Sequence, residues 1–378
     1  MSAFQVLIKR IRAVENHPNA DRLDVARVDG YECIIKRGEY QTGDLVAYIP
    51  EAAIIPEWLL HHLGFWDHEK QKGLLHGKDG NRVKAIKLRG VLSQGLCLGV
   101  WQDSETTGQI RTGAGKSEFV YISEGEEVAG LLGITKYEPP IPVAMAGEVF
   151  NAGTDFTVAF DVENWKSCPD VFADGEEVIF TEKLHGTFTG IAILPLKYAH
   201  PEAFGKNKNV LIFSKGLGAK GLVFKNNEKN QNNLYVRSTR SMVEKIDSLF
   251  ESFADETFPL YILGETFGPG VQDLTYGKEL GVRVFGLAHG YTNDRIWFSL
   301  PQVMSGCNGN ALDFYPVPIL YVGPFSVKKM QEYTDGKTVL DADHIREGIV
   351  MTSVSRPGLF IKSVSGDYLT RKNGTEFN

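Results

Sequence analysis

Phe180-Thr-Glu-Lys-Leu-His-Gly-Thr-Phe-Thr-Gly190 places a lysine, Lys183, where one apolar run ends and a short turn begins. A second apolar run, residues 191–194, follows, so the pattern predicts two strands joined by a tight turn. Gly186 in that turn would let a ligand approach the backbone closely. Lys183 is either a surface lysine in a hairpin or an amine in a binding site, where a lowered pKa makes it a nucleophile. An isolated Lys-x-x-Gly pattern favours the surface lysine.

Length and composition indicate a soluble globular chain of two or three domains. Its 378 residues exceed one typical domain, and 43% hydrophobic residues suffice for a sizeable core. No apolar run approaches the ~20 residues that cross a bilayer, and no signal-peptide core is present. The cysteines are widely spaced, which predicts a reducing, cytoplasmic setting without a disulfide framework: they are Cys33, Cys97, Cys168 and Cys307.

Charge is distributed unevenly along the chain. The net charge of −7 argues against a dedicated nucleic-acid binder. Residues 206–245, however, contain nine basic residues against Glu228 and Glu244, a local charge of +7. This segment is either a surface that faces phosphates or a solvated loop and helix face.

The N-terminal third has short apolar runs separated by glycines. The runs span residues 4–14, 23–28, 33–35, 45–49, 83–88 and 95–100, which predicts a small β-barrel. A short helix is predicted over residues 54–63, with Pro56 in its first turn. Four histidines (His61, His62, His68 and His76) cluster nearby, but no cysteine or carboxylate pair completes a zinc site.

The rest of the chain is rich in predicted strands. Residues 132–142 are proline-rich and form the best linker, with a loose extension that follows. One amphipathic helix is predicted over residues 239–254, and the Asn-rich residues 226–233 are predicted to be a low-complexity loop. Residues 216–221 match G-x-G-x-x-G, but the strand and acidic residue of a dinucleotide fold do not follow.

Several charged residues recur beside glycines at predicted strand ends after Lys183. They are Lys215, Glu265, Glu347 and Lys362, and each one alone reads as a charge on an edge strand. Their order, together with Phe285, resembles motifs I, III, IIIa, IV and V of the covalent nucleotidyltransferases. This superfamily contains ATP-dependent ligases and mRNA capping enzymes.

Within it, residues 182–187 and 264–272 resemble the RNA ligase branch. Residues 17–26 and 86–95 look like OB-type tRNA-binding modules, and OB-folds bind oligonucleotides. The whole chain is most similar to the Deinococcus-type nick-sealing RNA ligases. The resemblance implies an α+β fold: an OB-like barrel (residues 1–131), a linker (132–158) and a nucleotidyltransferase domain of antiparallel sheets with flanking helices (159–378).

The resemblance also implies a mechanism and its residues. Lys183 attacks ATP to form lysyl-AMP, and Lys362 with a metal ion lowers the pKa of its amine. Glu347 binds Mg²⁺ or Mn²⁺, which prefer carboxylate oxygen. The nucleotide-binding residues are Glu265 for the ribose, Phe285 for stacking on adenine, Glu182 and Asn164 for the adenine edge, and Gly186, Lys215 and Lys362.

Some expectations stay open or depart from the family pattern. Lys215 stands where many ligases have arginine. Its expected contact with ribose or phosphate therefore lacks the two-pronged geometry that an arginine would provide. The sequence ends sixteen residues after Lys362, without the C-terminal OB domain of DNA ligases, which leaves Arg371 and Lys372 as weak candidates to orient pyrophosphate. The side chain of His185 either has a packing role in the protein interior or contacts a phosphate of the ligand.

The predicted function is an ATP-dependent RNA ligase that acts on nicked duplex RNA as a monomer, with no membrane partner. One alternative is a GTP-using, capping-type guanylyltransferase. The other is an RNA- or tRNA-binding module that has lost its activity.

Overall fold

The chain divides into two compact units. The computed structural model describes residues 4–113, 118–249, 257–308, 314–341, 343–372 and 374. The first unit contains Ser2–Glu138 and Trp165–Val171, and the second contains Pro139–Asn164 and Phe172–Asn378. The division after Glu138 falls inside the predicted linker, whereas residues 165–171 lie with the first unit. Among the described helices, none has the length and apolar character that a membrane crossing needs.

The first unit consists mainly of short strands. They are β1 (Leu7–Asn16), β2 (Leu23–Val28), β3 (Tyr31–Lys36), β4 (Leu45–Ile49), β5 (Ala53–Ile54), β6 (Trp66–Asp67), β7 (Lys72–Gly73), β8 (Ile86–Leu88), β9 (Val91–Ser93), β10 (Leu96–Gly99), β11 (Trp101–Gln102), β12 (Thr107–Thr112), β13 (Glu118–Ser123) and β14 (Thr135–Lys136). Two helices accompany them, α1 (Glu57–Leu63) and α2 (Ala129–Leu132). The predicted runs at residues 23–28 and 45–49 are confirmed with these bounds.

An antiparallel sheet in the order β10-β4-β1-β2-β3 forms the body of the first unit. Every residue of β4 is buried, as expected for a central strand with apolar side chains on both faces. The chain after β9 bonds to β3, through Gln94 N–H to the Glu32 carbonyl (2.7 Å) and Ile34 N–H to the Ser93 hydroxyl (3.0 Å). These bonds bring the two edges of the sheet together, which confirms the predicted barrel-like curvature.

The second unit contains twelve described strands and six described helices. The strands are β15 (Val149–Asn151), β16 (Glu163–Asn164), β17 (Glu177–Lys183), β18 (Thr187–Ile193), β19 (Val210–Ser214), β20 (Leu222–Phe224), β21 (Leu260–Phe267), β22 (Gly281–His289), β23 (Ile296–Trp297), β24 (Ile319–Pro324), β25 (Gly348–Ser353) and β26 (Phe360–Val364). The helices are α3 (Lys215–Gly218), α4 (Leu234–Ser238), α5 (Arg240–Ser248), α6 (Leu300–Asn308), α7 (Val327–Thr334) and α8 (Gly366–Leu369).

Two five-stranded sheets organise this second unit. One has the order β16-β26-β25-β17-β24 and the other β19-β18-β21-β22-β23, and every pairing is antiparallel except β16 with β26. All seven residues of β18 are buried, so this strand is covered on both faces. Apolar residues of β18, β19, β21 and β22, with the helices that pack on them, form the largest core of the unit. This arrangement confirms the α+β class predicted from the sequence.

The predicted amphipathic helix is confirmed over Arg240–Ser248, and its buried Met242 and Ile246 face the core. The part of the prediction at residues 250–254 lies outside the described residues. A separate helix, α4, precedes it, because Asn233 caps that helix by accepting hydrogen bonds from the N–H groups of Tyr235 and Val236. Asparagine favours such helix N-termini.

The Asn-rich segment 226–233 is a loop, as predicted, with one short helical turn at Glu228–Asn230, and hydrogen bonds of its side chains hold it in place. Asn230 is 1% exposed, and its side-chain amide donates to the carbonyls of Glu148 (2.7 Å) and Lys225 (2.8 Å). Asn227 caps the short turn Glu228–Asn230 by accepting a hydrogen bond from the backbone N–H of Asn230. Asparagine side chains can satisfy buried backbone groups, which composition alone does not reveal.

Candidate active site

Lys183 is the last residue of β17, and β18 in the other sheet begins at Thr187. Residues 184–186 therefore carry the chain from one sheet to the other. A cleft of about 920 Å³, its open mouth included, lies beside this turn. Its lining comes from both sheets: Phe160, Asp161, Val162, Thr181, Glu182, Lys183, Leu184, Phe188, Lys215, Glu265, Phe285, Leu300, Val317, Val350, Thr352, Phe360 and Lys362.

The amine of Lys183 is paired with a buried carboxylate. Its Nζ lies 2.5 Å from Oε1 of Glu347, whose side chain is 5% exposed. Glu347 directly precedes β25, and Gly348 is opposite Lys183 in the register of β17 with β25. The pairing brings together two residues that lie 164 positions apart in the sequence.

The protonation of Lys183 differs from the prediction. Burial lowers the pKa of its amine, but the carboxylates of Glu347 and Glu265 outweigh burial and raise the pKa above its ordinary value. Lys362 does not reverse this effect, so the predicted lowering is wrong for the protein's own groups. The amine is protonated at neutral pH, and another source of positive charge is needed to release its proton.

Glu265 lies in β21, opposite Phe188 of β18, and faces the cleft. Burial raises the pKa of Glu265 to about 8; the charge of Lys183 lowers it, and that of Glu347 raises it further. No hydrogen-bond or ion-pair partner of this carboxylate is found among the described residues. It can therefore accept hydrogen bonds from the hydroxyls of a ligand.

Position 186 requires a glycine because the turn that contains it packs closely against β21. A Cβ added at Gly186 would lie 2.2 Å from the carbonyl oxygen of Thr266 and 2.8 Å from Cγ of Glu265. The carbonyl of Gly186 also accepts a hydrogen bond from the Gln272 side chain. The close approach of β21 therefore requires a glycine at this position, and the approach of a ligand stays a prediction.

Two further amines face the cleft, Lys215 at the start of α3 and Lys362 in β26. Lys215 is half exposed, and its Nζ lies 2.9 Å from Oδ1 of Asp161. Burial and the positive charges of Lys183 and Lys215 lower the pKa of Lys362 to about 8. The cleft therefore holds three amines, each of which can contact phosphate oxygens.

Aromatic rings form one wall of the cleft. The ring centroid of Phe285 lies 5.2 Å from that of Phe160 and 6.2 Å from those of Phe188 and Phe360. Phe160 stacks on Phe188 at 5.3 Å. Only Phe285 was predicted, through the resemblance. The other three rings come from separate segments, and no sequence spacing connects them.

Of the two predicted adenine-edge residues, only Glu182 lines the described cleft. Its Oε2 accepts a hydrogen bond from the backbone N–H of Val339 at 2.8 Å. Its Oε1 is buried and has no partner among the described residues. Burial raises the pKa of this carboxyl. Asn164 lies opposite Lys362 where β16 runs parallel to β26, but it is not among the residues that line the cleft.

His185, the middle residue of the turn, is 1% exposed and is buried in the interior. Its Nε2 lies 2.7 Å from Asp273, and its Nδ1 lies 2.6 Å from the hydroxyl of Tyr368. Arg371, a candidate for orienting pyrophosphate, instead pairs with Asp273. Sequence analysis missed Asp273 and Tyr368 because neither lies in a segment with a recognisable spacing to Lys183.

The charge of the basic segment 206–245 is partly neutralised by carboxylates from outside it. Lys225 Nζ lies 2.7 Å from Glu202, and Lys229 Nζ lies 2.5 Å from Glu148. The local charge of +7 therefore overstates the positive field of this surface.

Glu347 fits a divalent cation by its chemistry. Its Oε2 is buried and has no hydrogen-bond partner among the described residues, with His185 Nδ1 3.8 Å away. In the part of the chain that the structure describes, no group of three or more His, Cys, Asp or Glu side chains could hold a metal. An ion at Glu347 would therefore complete its shell with water and substrate oxygens, as Mg²⁺ commonly does.

Comparisons with known proteins connect this geometry to two families. An RNA ligase family model matches residues 176–364, and an OB-fold domain model matches residues 5–100. No curated protein matches the chain.

Solved structures of an RNA ligase from Naegleria gruberi have a similar fold. A lysine-to-alanine mutant with ATP and Mn is 21% identical with a TM-score of 0.71. A glutamate-to-alanine mutant with AMP and Mn is 20% identical with a TM-score of 0.72. The ligase with PPi is 21% identical with a TM-score of 0.72. Each match covers 97% of this chain and 98% of the other.

Proposed function

The chain belongs to the RNA ligase family, and we propose that it is an ATP-dependent ligase that seals nicks in duplex RNA. It joins a 3′-OH to a 5′-phosphate. In this proposal residues 1–131 grip nucleic acid, residues 132–158 link the domains, and residues 159–378 carry out nucleotidyl transfer. The Naegleria ligase structures with ATP and with PPi support a nucleoside triphosphate as the substrate.

The observation that carries the proposal is the position of the Lys183 amine in a cleft that also contains aromatic rings, a carboxylate and two further amines. Rings around Phe285 offer a surface for a base, and the carboxylate of Glu265 can accept hydrogen bonds from ribose hydroxyls. The amines of Lys215 and Lys362 can contact phosphates. Base, ribose and phosphate are the three parts of ATP.

In the first step, Nζ of Lys183 attacks the α-phosphorus of ATP. A nitrogen–phosphorus bond forms while the bond from this phosphorus to the bridging oxygen breaks, and pyrophosphate leaves. The amine first gives up its proton to water, which its raised pKa disfavours. Lys362 and Lys215 stabilise the charge on the phosphate oxygens, because phosphoryl transfer depends on positioning and electrostatics.

Mg²⁺ or Mn²⁺ is proposed to bind at Glu347. The buried Oε2 of this residue, without a hydrogen-bond partner among the described residues, supports the assignment. When bound, the ion would supply positive charge that lowers the pKa of Lys183 and stabilises the charge on the phosphates. Glu347 otherwise holds the amine in place.

The remaining nucleotide contacts are proposed from the cleft and the resemblance. Phe285 stacks on adenine, and the free Oε1 of Glu182 accepts a hydrogen bond from the adenine edge. Asn164 and Gly186 stay predictions, since Asn164 does not line the described cleft and Gly186 packs on β21.

The second and third steps transfer AMP and then release it. An oxygen of the RNA 5′-phosphate attacks the phosphorus of lysyl-AMP, and Lys183 leaves as the amine. The 3′-OH then attacks the 5′-phosphorus, the phosphodiester forms, and AMP leaves. A-form geometry and the 2′-OH are the features that would favour RNA. We propose that the enzyme acts as a monomer in the cytoplasm, and the cytoplasmic setting is in keeping with four cysteines that form no disulfide.

The proposal is tested by covalent labelling. The protein is incubated with α-labelled ATP and Mg²⁺ or Mn²⁺, then denatured and separated by electrophoresis. We expect a labelled protein in wild type and none in Lys183→Ala, because the amine forms the bond to AMP. Equal label in Lys183→Ala, or none in wild type, contradicts the proposal. Stronger labelling with α-labelled GTP would favour a guanylyltransferase, and tight RNA binding without label would favour an inactive binding module.

A further inference from the structure

We propose that residues 365–371, together with Asp273, form a brace that positions His185 and, through Glu347, the amine of Lys183. Asp273, Tyr368 and Arg371 are then positioning residues for the first step. This inference rests on the proposed ligase function, because it concerns the lysine that would carry AMP.

The imidazole of His185 is held on both sides. Its Nε2 lies 2.7 Å from Oδ1 of Asp273, and its Nδ1 lies 2.6 Å from the hydroxyl of Tyr368. The hydroxyl of Tyr276 accepts a hydrogen bond from the backbone N–H of His185 at 2.5 Å. Hydrogen bonds at both ring nitrogens and at the backbone N–H keep the imidazole in one orientation, since rotation of the ring would break buried hydrogen bonds.

Arg371 joins the two partners of that imidazole. Its guanidinium binds Asp273 with two hydrogen bonds, Nε to Oδ2 and Nη2 to Oδ1, both 3.0 Å. It also lies 3.7 Å above the Tyr368 ring and donates to the Tyr368 carbonyl at 2.8 Å. The planar fork and the stacking surface are properties that lysine lacks.

The brace reaches the nucleophile through Glu347. The Nδ1 atom of His185 lies 3.8 Å from Oε2 of Glu347, and Oε1 of the same carboxylate pairs with Lys183. The backbone N–H of Ser365 donates to the Glu347 carbonyl at 2.9 Å, so the brace also holds the main chain of this residue. Ser365 itself is fixed by its hydroxyl, which donates to Asp335 at 2.7 Å.

The arrangement explains why a buried charged network occupies this place. Burying an ion pair costs desolvation, and apolar residues of similar volume often stabilise as well or better. The side chain of Arg371 is only 9% exposed, and His185 is almost fully buried. A network that only filled space could be apolar. This network connects, through His185, to Glu347, the carboxylate that pairs with the Lys183 amine.

The test is step-resolved kinetics on Arg371→Lys, which keeps the charge and loses the fork. We expect the rate of lysyl-AMP formation at saturating ATP to fall at least about tenfold, because small displacements of a nucleophile can cost ~10²-fold. The KM for ATP should change less than about twofold, since Arg371 does not line the cleft. Tyr368→Phe keeps the ring below Arg371 and removes the hydroxyl, and should slow the same step.

The matched control is Arg356→Lys. Arg356, in the same unit, also binds a carboxylate through two guanidinium nitrogens, with Nε 3.2 Å from Oε1 of Glu176 and Nη2 2.8 Å from Oε2. Its replacement should leave lysyl-AMP formation unchanged. If Arg371→Lys fails to fold, as judged by its thermal melt, Tyr368→Phe carries the test.

Wild-type labelling separates this inference from the ligase proposal. If wild type forms no lysyl-AMP, the ligase proposal fails. If wild type is labelled but Arg371→Lys and Tyr368→Phe react at the wild-type rate, the brace is contradicted. A loss of melting temperature with an unchanged rate also contradicts it, because that result describes a structural role only.

Discussion

At the scale of single residues, the site keeps a carboxylate where burial opposes its charge. The pKa of Glu265 is raised to about 8 from an ordinary value of 4.5, chiefly by burial. Between these two pH values the folded protein binds more protons than the unfolded chain, so stability falls as pH rises through this window. Natural proteins commonly retain such destabilising groups where function needs them.

Glu265→Gln should therefore stabilise the protein and impair the enzyme. We expect its free energy of unfolding at pH 8 to exceed that of wild type by roughly 4 kcal/mol, because the pKa of Glu265 rises from 4.5 to about 8 and each pKa unit corresponds to ~1.4 kcal/mol. Near pH 4 the difference should largely disappear, because both forms are then uncharged at this position. Urea unfolding at the two pH values measures this difference. Labelling with α-labelled ATP should fall, since the proposed ribose contact is lost.

Glu177→Gln is the control for that substitution, because Glu177 is an exposed residue of β17. It should change neither stability nor labelling at either pH. A wild-type stability that does not decline between pH 5 and 8 relative to Glu265→Gln would show that the buried carboxylate is not destabilising.

At the scale of elements, the turn between β17 and β18 is fitted closely against β21. The carbonyl of Thr266 occupies the position that a side chain at residue 186 would need. Gly186→Ala should therefore force the turn away from β21, with a loss of about 1–3 kcal/mol in stability, as in other overpacked cores. Lysyl-AMP formation should also slow, because Lys183 ends the preceding strand.

Gly216→Ala is the matched control, since a Cβ at Gly216 meets no atom within 4 Å. Alanine there should be neutral or slightly stabilising, because it favours the helix α3. Chemical unfolding and labelling of both variants give the comparison. A Gly186→Ala protein as stable and active as Gly216→Ala would contradict the packing argument.

The elements themselves were largely predictable from local patterns. The strands at residues 23–28 and 45–49 were identified because each apolar run is short and bounded by turn residues. The separate helix α4 was not predicted, because it depends on a single capping side chain, Asn233. Strand order could not be derived, since β17 pairs with β25 across more than 160 residues.

The site was predictable only where the resemblance supplied it. Lys183, Glu265 and Lys362 were identified by their order along the chain, and the structure brings them to one cleft. Phe160 was missed because an apolar residue in a cleft has the same local sequence pattern as one in the core. The raised pKa of the Lys183 amine beside the protein's own carboxylates was not predicted, because the distance to Glu347 depends on tertiary pairing.

At the scale of the whole molecule, the proposed function assigns RNA binding and AMP transfer to different parts of the chain. In the first unit, the turn of the β8–β9 hairpin exposes Arg89. Asn19 holds this turn by donating to the Arg89 carbonyl at 2.9 Å, and His17 Nε2 lies 3.1 Å from the Leu88 carbonyl. The two segments that resemble tRNA-binding modules, residues 17–26 and 86–95, are therefore in contact at this turn, where the side chain of Arg89 is exposed.

Arg89→Ala should weaken binding of nicked duplex RNA and leave lysyl-AMP formation unchanged. If Arg89 contacts one phosphate, the slope of log K against log salt should shrink by about 1, because one fewer counterion is released. Fluorescence anisotropy at several salt concentrations measures this slope.

Lys70→Ala is the control, since Lys70 is an exposed cation of the same unit that pairs with Asp67 at 3.1 Å. An unchanged slope in Arg89→Ala would exclude a phosphate contact at this turn. A matching loss of lysyl-AMP formation would mean that the two functions are not separated between the parts of the chain.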